Sequence, residues 1–311
     1  MFHSTVQYGK FRLMLCSYTP GASAYLADFL NHLPQNINLV NTPTSDARLT
    51  LVAPESLGDL SGEEKLWRKL VQAWNAMESS WTGTSLLSLD SKKGPGHPAE
   101  FIYLIPRGRE LAEVRARLGM YVVRTKERWL IQQGWLPLHA AAVERLHRGY
   151  LFLGESGAGK TTVTRLSREI ADSILNDERV FIKDINGGYF LMAANNFSHL
   201  AFNFVDGSAG VGKVVLDQIP TLKSDHIVPL AGIFVLKKDG NDFILPSSKL
   251  STAQAVLKGF LESAIDIIST RKELEGAFHS LCRTASRIPG YELHFRKSSD
   301  FWKLIDERFA G

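Results

Sequence analysis

The spacing of hydrophobic positions changes along this chain, and it predicts strands and helices in alternation. In residues 10–17, apolar and polar side chains alternate as on a half-buried strand. Residues 23–33 instead carry apolar side chains three and four positions apart, which is typical of an amphipathic helix. Short apolar runs at residues 38–40 and 49–52 predict two more strands. The first part of the chain therefore predicts a small α+β unit.

A stretch rich in glycine and proline separates this unit from the rest of the chain. Before it, Ser61 and Glu64 form a capping-box signature for a further helix. Residues 91–98, SKKGPGHP, have the composition of a linker. We therefore expect an N-terminal α+β domain at residues 1–97 and a larger domain at residues 98–311.

The larger region combines helices and strands around an expected central sheet. Residues 110–132 have the period of a long helix, and apolar runs on either side of RLHR predict an antiparallel hairpin. Residues 171–184 predict one strand that continues through an acidic pair. Residues 252–284 have a helical pattern, so the C-terminal region is expected to be helical. The pattern predicts a protein of mixed α/β composition, with an α+β arrangement of helices and strands around a mixed sheet.

Composition and charge narrow the class of protein. Hydrophobic residues make up 44% and charged residues 22% of the chain, as in ordinary globular proteins. The net charge of +4 suits an anionic ligand but lacks the concentrated basic stripe of a nucleic-acid binder. The sequence shows no signal peptide and no apolar run long enough to span a membrane. Cys16 and Cys282 lie far apart in the sequence, which favours reduced thiols over a disulfide. We expect a cytoplasmic protein that binds neither nucleic acid nor membrane; the oligomeric state stays open, a homo-oligomer included.

The stretch GESGAGKTT, residues 154–162, has the spelling of a phosphate-binding loop. It follows the apolar strand GYLFL and precedes residues that favour a helix. Backbone N–H groups and the helix N-terminus can hold phosphate oxygens there, while Lys160 reaches the β- and γ-phosphates. The hydroxyl of Thr161 can bind Mg²⁺. The alternative is an ordinary turn between a strand and a helix.

A second stretch, GSAGVGKVV at residues 207–215, repeats the glycine spacing but not its ending. Val214 replaces the metal-binding hydroxyl, and Pro220 interrupts any following helix. We expect a surface loop. A lid that brings Lys213 over a bound nucleotide is the functional alternative.

Asp177 and Glu178 follow Lys160 at a distance that leaves room for a short helix and a return strand beside the strand of the loop. Side chains of neighbouring strand residues point to opposite faces, so one carboxylate can bind Mg²⁺ while the other accepts a proton. The alternative is a solvated turn. His139 begins HAAAV, the apolar run before the loop strand, where a histidine is either a structural residue or one that takes part in catalysis or contacts phosphate.

These motifs together resemble the HPr kinase/phosphorylase superfamily, whose P-loop core is related to phosphoenolpyruvate carboxykinase. The resemblance covers residues 138–237 and rests on LHAAAV, GYLFLGESGAGKTT and ILNDERV in this order. In that family a histidine lies on a strand that forms a hairpin with the loop strand, and an acidic pair follows the loop.

The resemblance implies a kinase that uses ATP and Mg²⁺. Lys160, Asp177 and His139 would be catalytic, with Asp177 as general base on the acceptor hydroxyl and His139 near the transferred phosphate. Glu178 would assist Thr161 and Asp177 at the metal. The implied nucleotide-binding residues are Gly154, Glu155, Ser156, Gly157, Ala158, Gly159, Lys160, Thr161 and Thr162.

The acceptor is less closely specified. Glu178 stands where the bacterial HPr kinases have aspartate, and residues 1–97 do not match their N-terminal domain. The chain is more similar to divergent members that phosphorylate serine on lasso-peptide precursors, so a peptide or small protein with a serine hydroxyl is the expected acceptor. A kinase acting on free serine and a nucleotide-binding regulatory module without catalysis remain alternatives.

Overall fold

In the computed structural model the described residues are 2–8, 10–17, 20–33, 37–42, 44–53, 86–89, 99–105, 110–193, 226–238, 241–264, 271–296 and 298–310. The chain divides into two compact units, Met1–Trp129 and Leu130–Gly311. The linker and the boundary expected between residues 97 and 98 lie outside the described residues, as does the helix expected after Ser61.

The first unit contains a six-stranded mixed sheet with the strand order β3-β1-β2-β4-β6-β5. Its strands are β1 (Phe2–Tyr8), β2 (Phe11–Ser17), β3 (Asn38–Val40), β4 (Ala47–Val52), β5 (Leu86–Leu89) and β6 (Ala99–Leu104). Its helices are α1 (Pro20–Asn31) and most of α2 (Leu111–Gln132). Because β6 pairs with β4 and β5, the strand that follows the expected domain boundary belongs to the sheet of the first unit.

The alternation in the N-terminal sequence correctly predicts how the first unit buries its residues. Phe11, Leu13 and Leu15 are fully buried on alternate positions of β2. Leu26 and Phe29 are buried on α1, which packs against β2 and β4. The strands expected at residues 38–40 and 49–52 are β3 and β4, whereas β1 and β5 had no clear signal in the sequence.

The second unit contains a nine-stranded sheet whose main path has the order β10-β8-β9-β13-β12-β11-β7. Strand β15 pairs with β13 and with β14 at its side. The strands are β7 (Leu136–His139), β8 (Ala141–Arg145), β9 (Arg148–Leu153), β10 (Ser173–Asn176), β11 (Arg179–Ile185), β12 (Gly188–Met192), β13 (Ile227–Lys238), β14 (Phe243–Pro246) and β15 (Gly290–Phe295). The helices are α3 (Lys160–Ser167), α4 (Lys249–Ala264), α5 (Arg271–Arg287) and α6 (Phe301–Phe309).

Parallel and antiparallel pairing occur in the same sheet. Strands β9, β13 and β15 are parallel neighbours, and the other pairs in the second unit are antiparallel. The predicted class, an α+β fold with mixed sheets, is therefore confirmed. Within the described ranges, no helix has the length and apolarity that crossing a membrane requires.

Helices cover both faces of the sheet in the second unit. Along β9, Leu151 and Leu153 face a core that contains Val256 and Phe260 of α4. The intervening side chains face a second core, which contains residues of α3 and α6, among them Val163, Phe301, Trp302 and Ile305. The short apolar run of β9 thus has no polar face, because each face is covered by helices.

The hairpin predicted around RLHR is confirmed. Strands β8 and β9 pair antiparallel, with Arg145 opposite Arg148. Leu146 and His147 form the two-residue turn, and their φ angles of 51° and 59° lie in the left-handed region. This is the turn geometry that matches the twist of a tight hairpin.

The prediction of a single strand through the acidic pair is wrong. Strand β10 ends at Asn176, and β11 begins at Arg179. The side-chain oxygen Oδ1 of Asn176 accepts hydrogen bonds from the backbone N–H groups of Glu178 at 2.8 Å and Arg179 at 3.0 Å. These two N–H groups thus bond to a side chain and not to a neighbouring strand. The chain therefore turns at Asp177 and Glu178 instead of continuing as one strand.

The position of the acidic strand also differs from the prediction. Strand β10 pairs with β8 and not with β9, because the hairpin strand β8 occupies that edge of β9. The single helical stretch expected at residues 252–284 is described as two helices, α4 and α5. The second glycine stretch, residues 207–215, lies outside the described residues.

Candidate active site

The first glycine stretch forms a turn between β9 and α3, and we call residues 154–159 the glycine loop. Gly157 and Gly159 have φ angles of 75° and 114°, which side chains with a Cβ rarely adopt. A Cβ on Gly159 would also lie 2.8 Å from Cζ of Phe295. Both the backbone angle and the packing therefore require glycine at position 159.

The parallel strands place the glycine loop at one edge of the sheet. The carboxyl ends of β9, β13 and β15 meet there, because neighbouring parallel strands run in the same direction. Within the loop, the N–H of Ala158 donates to the carbonyl of Glu155 at 3.0 Å. A Cβ on Gly154 would come within 2.7 Å of the Cβ of Ala158, so the turn is closed tightly.

Lys160 is the first residue of α3, and its side chain folds back under the glycine loop. Only 7% of the residue is exposed. Its Nζ donates hydrogen bonds to the carbonyls of Gly154 at 2.7 Å and Glu155 at 3.3 Å. Burial lowers the pKa of Lys160; Lys258 lowers it further, while Glu262 opposes the shift. The amine is thus held against the carbonyls of the glycine loop.

The start of α3 has no side-chain cap. Gly159 is the N-cap residue and makes no capping hydrogen bond. The first N–H groups of a helix carry a partial positive charge and need acceptors, which a bound anion can supply. The helix has eight residues, and Val163 donates to the carbonyl of Gly159 at 2.8 Å, so the first turn is formed. Thr161 in this turn is exposed, and Thr162 is half-buried.

His139 ends β7 and lies opposite Arg179 of β11. Burial lowers the pKa of His139, and the positive charge of Lys160 lowers it further. Glu262, Glu178 and a hydrogen bond with the backbone of Glu178 oppose this shift. The lowered pKa leaves the imidazole neutral near pH 7. His139 therefore lies within electrostatic reach of both Lys160 and Glu178.

The acidic pair lies in the turn that Asn176 holds. The carbonyl of Glu178 accepts a hydrogen bond from the N–H of Ala140 at 3.1 Å, which fixes this turn beside the junction of β7 and β8. Both Asp177 and Glu178 are half-buried, and Oδ1 of Asp177 is shielded from solvent. Asn176 had no role in the sequence-based site, although asparagine side chains often bond the backbone two residues on and so favour turns.

A cavity of about 570 Å³ opens beside the glycine loop. It is lined by residues 153–158, by residues 235–237 at the end of β13, by His139 and by one side of α4. Its volume is within the range of ordinary small-molecule sites. The lining contains His139 and the predicted loop residues from Gly154 to Ala158. The other predicted site residues are not in it as far as the described residues show: Gly159, Lys160, Thr161, Thr162, Asp177 and Glu178.

Helix α4 contributes residues that the sequence analysis did not single out. Lys258 and Glu262, one turn apart, line the cavity. A Cβ on Gly259 would lie 3.1 Å from Leu153 and 3.3 Å from the carbonyl of His139, so glycine lets α4 approach the sheet closely. Nζ of Lys258 lies 2.7 Å from Oε1 of Glu155. The sequence signal that could have identified this side of the site is the pair of opposite charges at Lys258 and Glu262, four residues apart and beside Gly259.

A family model matches residues 115–310, which is more than half of the chain. The matched region includes the glycine loop, His139 and the acidic pair. No curated protein matches the chain. The description of the matching family is SynChlorMet cassette protein ScmC, and the chain belongs to this ScmC family.

Proposed function

We propose that this protein is a kinase that transfers the γ-phosphate of ATP to a serine-type hydroxyl, and that the glycine loop holds the phosphates. The observation that carries the proposal is the arrangement at the start of α3. Two glycines with left-handed backbone angles lead into an uncapped helix, and its first residue, Lys160, folds its amine under the loop. Such a turn directs backbone N–H groups and a cation towards one anionic group.

The cavity supports a bound nucleotide. It begins at residues 153–158, so a ligand whose phosphates contact the glycine loop extends into it. The buried ammonium of Lys160 donates hydrogen bonds to the backbone carbonyls of Gly154 and Glu155, and phosphate oxygens would be stronger, charge-assisted partners for it.

Mg²⁺ suits the oxygen donors that this proposal assigns to it. The hydroxyl of Thr161 and the carboxylates of Asp177 and Glu178 are the type of ligand that Mg²⁺ takes in nucleotide sites. When bound, the ion would neutralise charge on the phosphate oxygens. The carboxylates also fit the ion because the junction of β7 and β8 holds their turn in a fixed place.

Proton transfer falls to the acidic pair in this proposal. Asp177 would accept the proton of the attacking hydroxyl, and Lys160 with the N-terminus of α3 would stabilise charge on the transferred phosphoryl group. The lowered pKa of His139 favours the neutral imidazole, which can accept or donate a hydrogen bond beside the phosphate. The resemblance to HPr-kinase-like proteins supports a serine on a peptide or small protein as acceptor.

A transfer assay tests the proposal. The full chain is incubated with γ-labelled ATP and Mg²⁺, in separate reactions with serine-containing peptides and with free serine. Asp177→Asn should keep ATP binding but reduce transfer about 100-fold or more, because general-base catalysis contributes at least that factor. The matched control is Asp184→Asn, which makes the same charge change at an exposed position of β11 and should transfer like the wild type.

Transfer at the wild-type rate by Asp177→Asn would remove that residue from the base role. A second candidate function is a nucleotide-binding regulatory module without catalysis. It is favoured by one observation, namely that Asp177 and Glu178 are not among the cavity-lining residues that the structure describes. ATP binding by the wild type without transfer to any hydroxyl acceptor would support this second function.

A further inference from the structure

An ion pair forms part of the lining of the cavity beside the glycine loop. Glu155 belongs to the loop, and Lys258 belongs to α4, so the pair joins two elements that both line the cavity. Nζ of Lys258 and Oε1 of Glu155 lie 2.7 Å apart. Their side chains remain 53% and 80% exposed, so water competes with the contact and the pair can open at little cost.

The position of Lys258 is fixed by packing and not by the ion pair alone. The next residue, Gly259, brings α4 against Leu153 and the backbone of His139. The backbone of Lys258 is therefore held close to the end of β9, where the glycine loop begins. The long side chain of lysine can then move between two partners without movement of the helix.

The charges around the cavity favour such an exchange. Lys237 and Lys258 are its cationic lining residues, and Glu155 and Glu262 are its acidic ones within the described chain. A polyphosphate that enters this space brings more negative charge than one glutamate offers to Lys258. A doubly charged phosphate with several acceptor oxygens is the stronger partner for an ammonium group.

We propose that Lys258 is a second phosphate-binding cation, which Glu155 holds at the edge of the site until a polyphosphate takes its place. This inference rests on the proposed function, since it concerns the same nucleotide site. Glu155 contacts Lys258 in the ligand-free protein, and a ligand that binds Lys258 must displace Glu155. Glu155 therefore lowers the affinity for polyphosphate, although it lies within the loop that binds it.

The test measures binding of inorganic tripolyphosphate and of Mg-ATP to the full chain by calorimetry. Lys258→Gln should weaken binding about tenfold, the size expected when one charge-assisted contact is lost. Lys258→Arg keeps the cation and should remain within about threefold of the wild type. The matched control is Lys249→Gln, on the same helix and outside the cavity lining, which should bind like the wild type.

If Lys258 exchanges Glu155 for a polyphosphate, a second result is expected that a purely structural ion pair would not give. Glu155→Gln should strengthen binding by about two- to fivefold, because the competitor is removed from an exposed pair. In the double variant Glu155→Gln with Lys258→Gln this gain should vanish. Asp300→Asn removes the acid of another exposed ion pair, with Lys303 at 2.9 Å, and is the control for a general charge effect.

The outcomes separate the two proposals. If wild-type protein and Lys249→Gln bind neither probe, the nucleotide site itself is wrong, and this inference falls with it. If the wild type binds and Lys258→Gln binds equally well, only the role of Lys258 is overturned. Weaker binding by Glu155→Gln would likewise contradict the exchange, since Glu155 would then be a supporting residue and not a competitor.

Discussion

In the second unit two ion pairs join helices to other elements, Arg145 of β8 to α6 and Glu155 of the glycine loop to α4, and the two pairs differ in burial. On the face of α6, Arg145 and Asp306 make two hydrogen bonds, at 2.8 Å and 2.6 Å, with side chains 20% and 30% exposed. On the face of α4, Glu155 and Lys258 make one contact between largely exposed side chains. The first geometry suits a permanent attachment, and the second suits an exchange of partners.

The surroundings of the two pairs differ in the same way. The guanidinium of Arg145 lies 5.4 Å from the ring centre of Trp302, whose Nε1 donates to Ser167 at 2.8 Å. Aromatic side chains fill this face, whereas Gly259 and a cavity lie on the other. Both faces carry a packed core, and the face of α4 also borders the cavity.

The largest expected effect is at the aromatic face. Trp302 is 1% exposed, so Trp302→Ala should lower the free energy of unfolding by about 3–5 kcal/mol through lost packing and the lost bond to Ser167. Urea denaturation of the full chain measures it. The control is Leu261→Ala, because Leu261 is 51% exposed on α4 and should have little effect. A loss no larger than that of the control would contradict the stabilising role of this face.

A smaller effect is expected when each ion pair is broken. Asp306→Asn removes the charge that Arg145 contacts twice, and should cost about 1–3 kcal/mol of unfolding free energy. Glu155→Gln should leave the unfolding curve like that of the wild type, because its pair is exposed. Equal losses for the two variants in urea denaturation would remove the distinction between the faces.

Local features of the site could be read from the sequence, because they depend on neighbouring residues. The glycine spacing, the apolar strand before it and the helix after it all lie within residues 149–167, and the structure has a strand, a turn and a helix there. The hairpin around Leu146 and His147 was predictable for the same reason. Alternation likewise identified the buried face of β2.

Features that depend on distant contacts could not be predicted. The break at Asp177 is the exception, because its cause is local: the side chain of Asn176 bonds the backbone two and three residues on, and the strand pattern concealed this turn. The place of β10 depends on β8 already occupying the edge of β9. Lys258 lies 103 residues from Glu155, so no local pattern joins them.

The central claim is that the glycine loop binds a polyphosphate. Measuring ATP binding by a variant of Lys160 tests this claim most directly. Calorimetric titration with Mg-ATP should show binding to the wild type and a loss of about 10- to 100-fold in affinity for Lys160→Ala, because a buried charge-assisted contact is removed. The unfolding midpoint of the variant should be measured alongside, to show that the fold is intact. Equal affinity in the two proteins, or no binding by the wild type, would contradict the account.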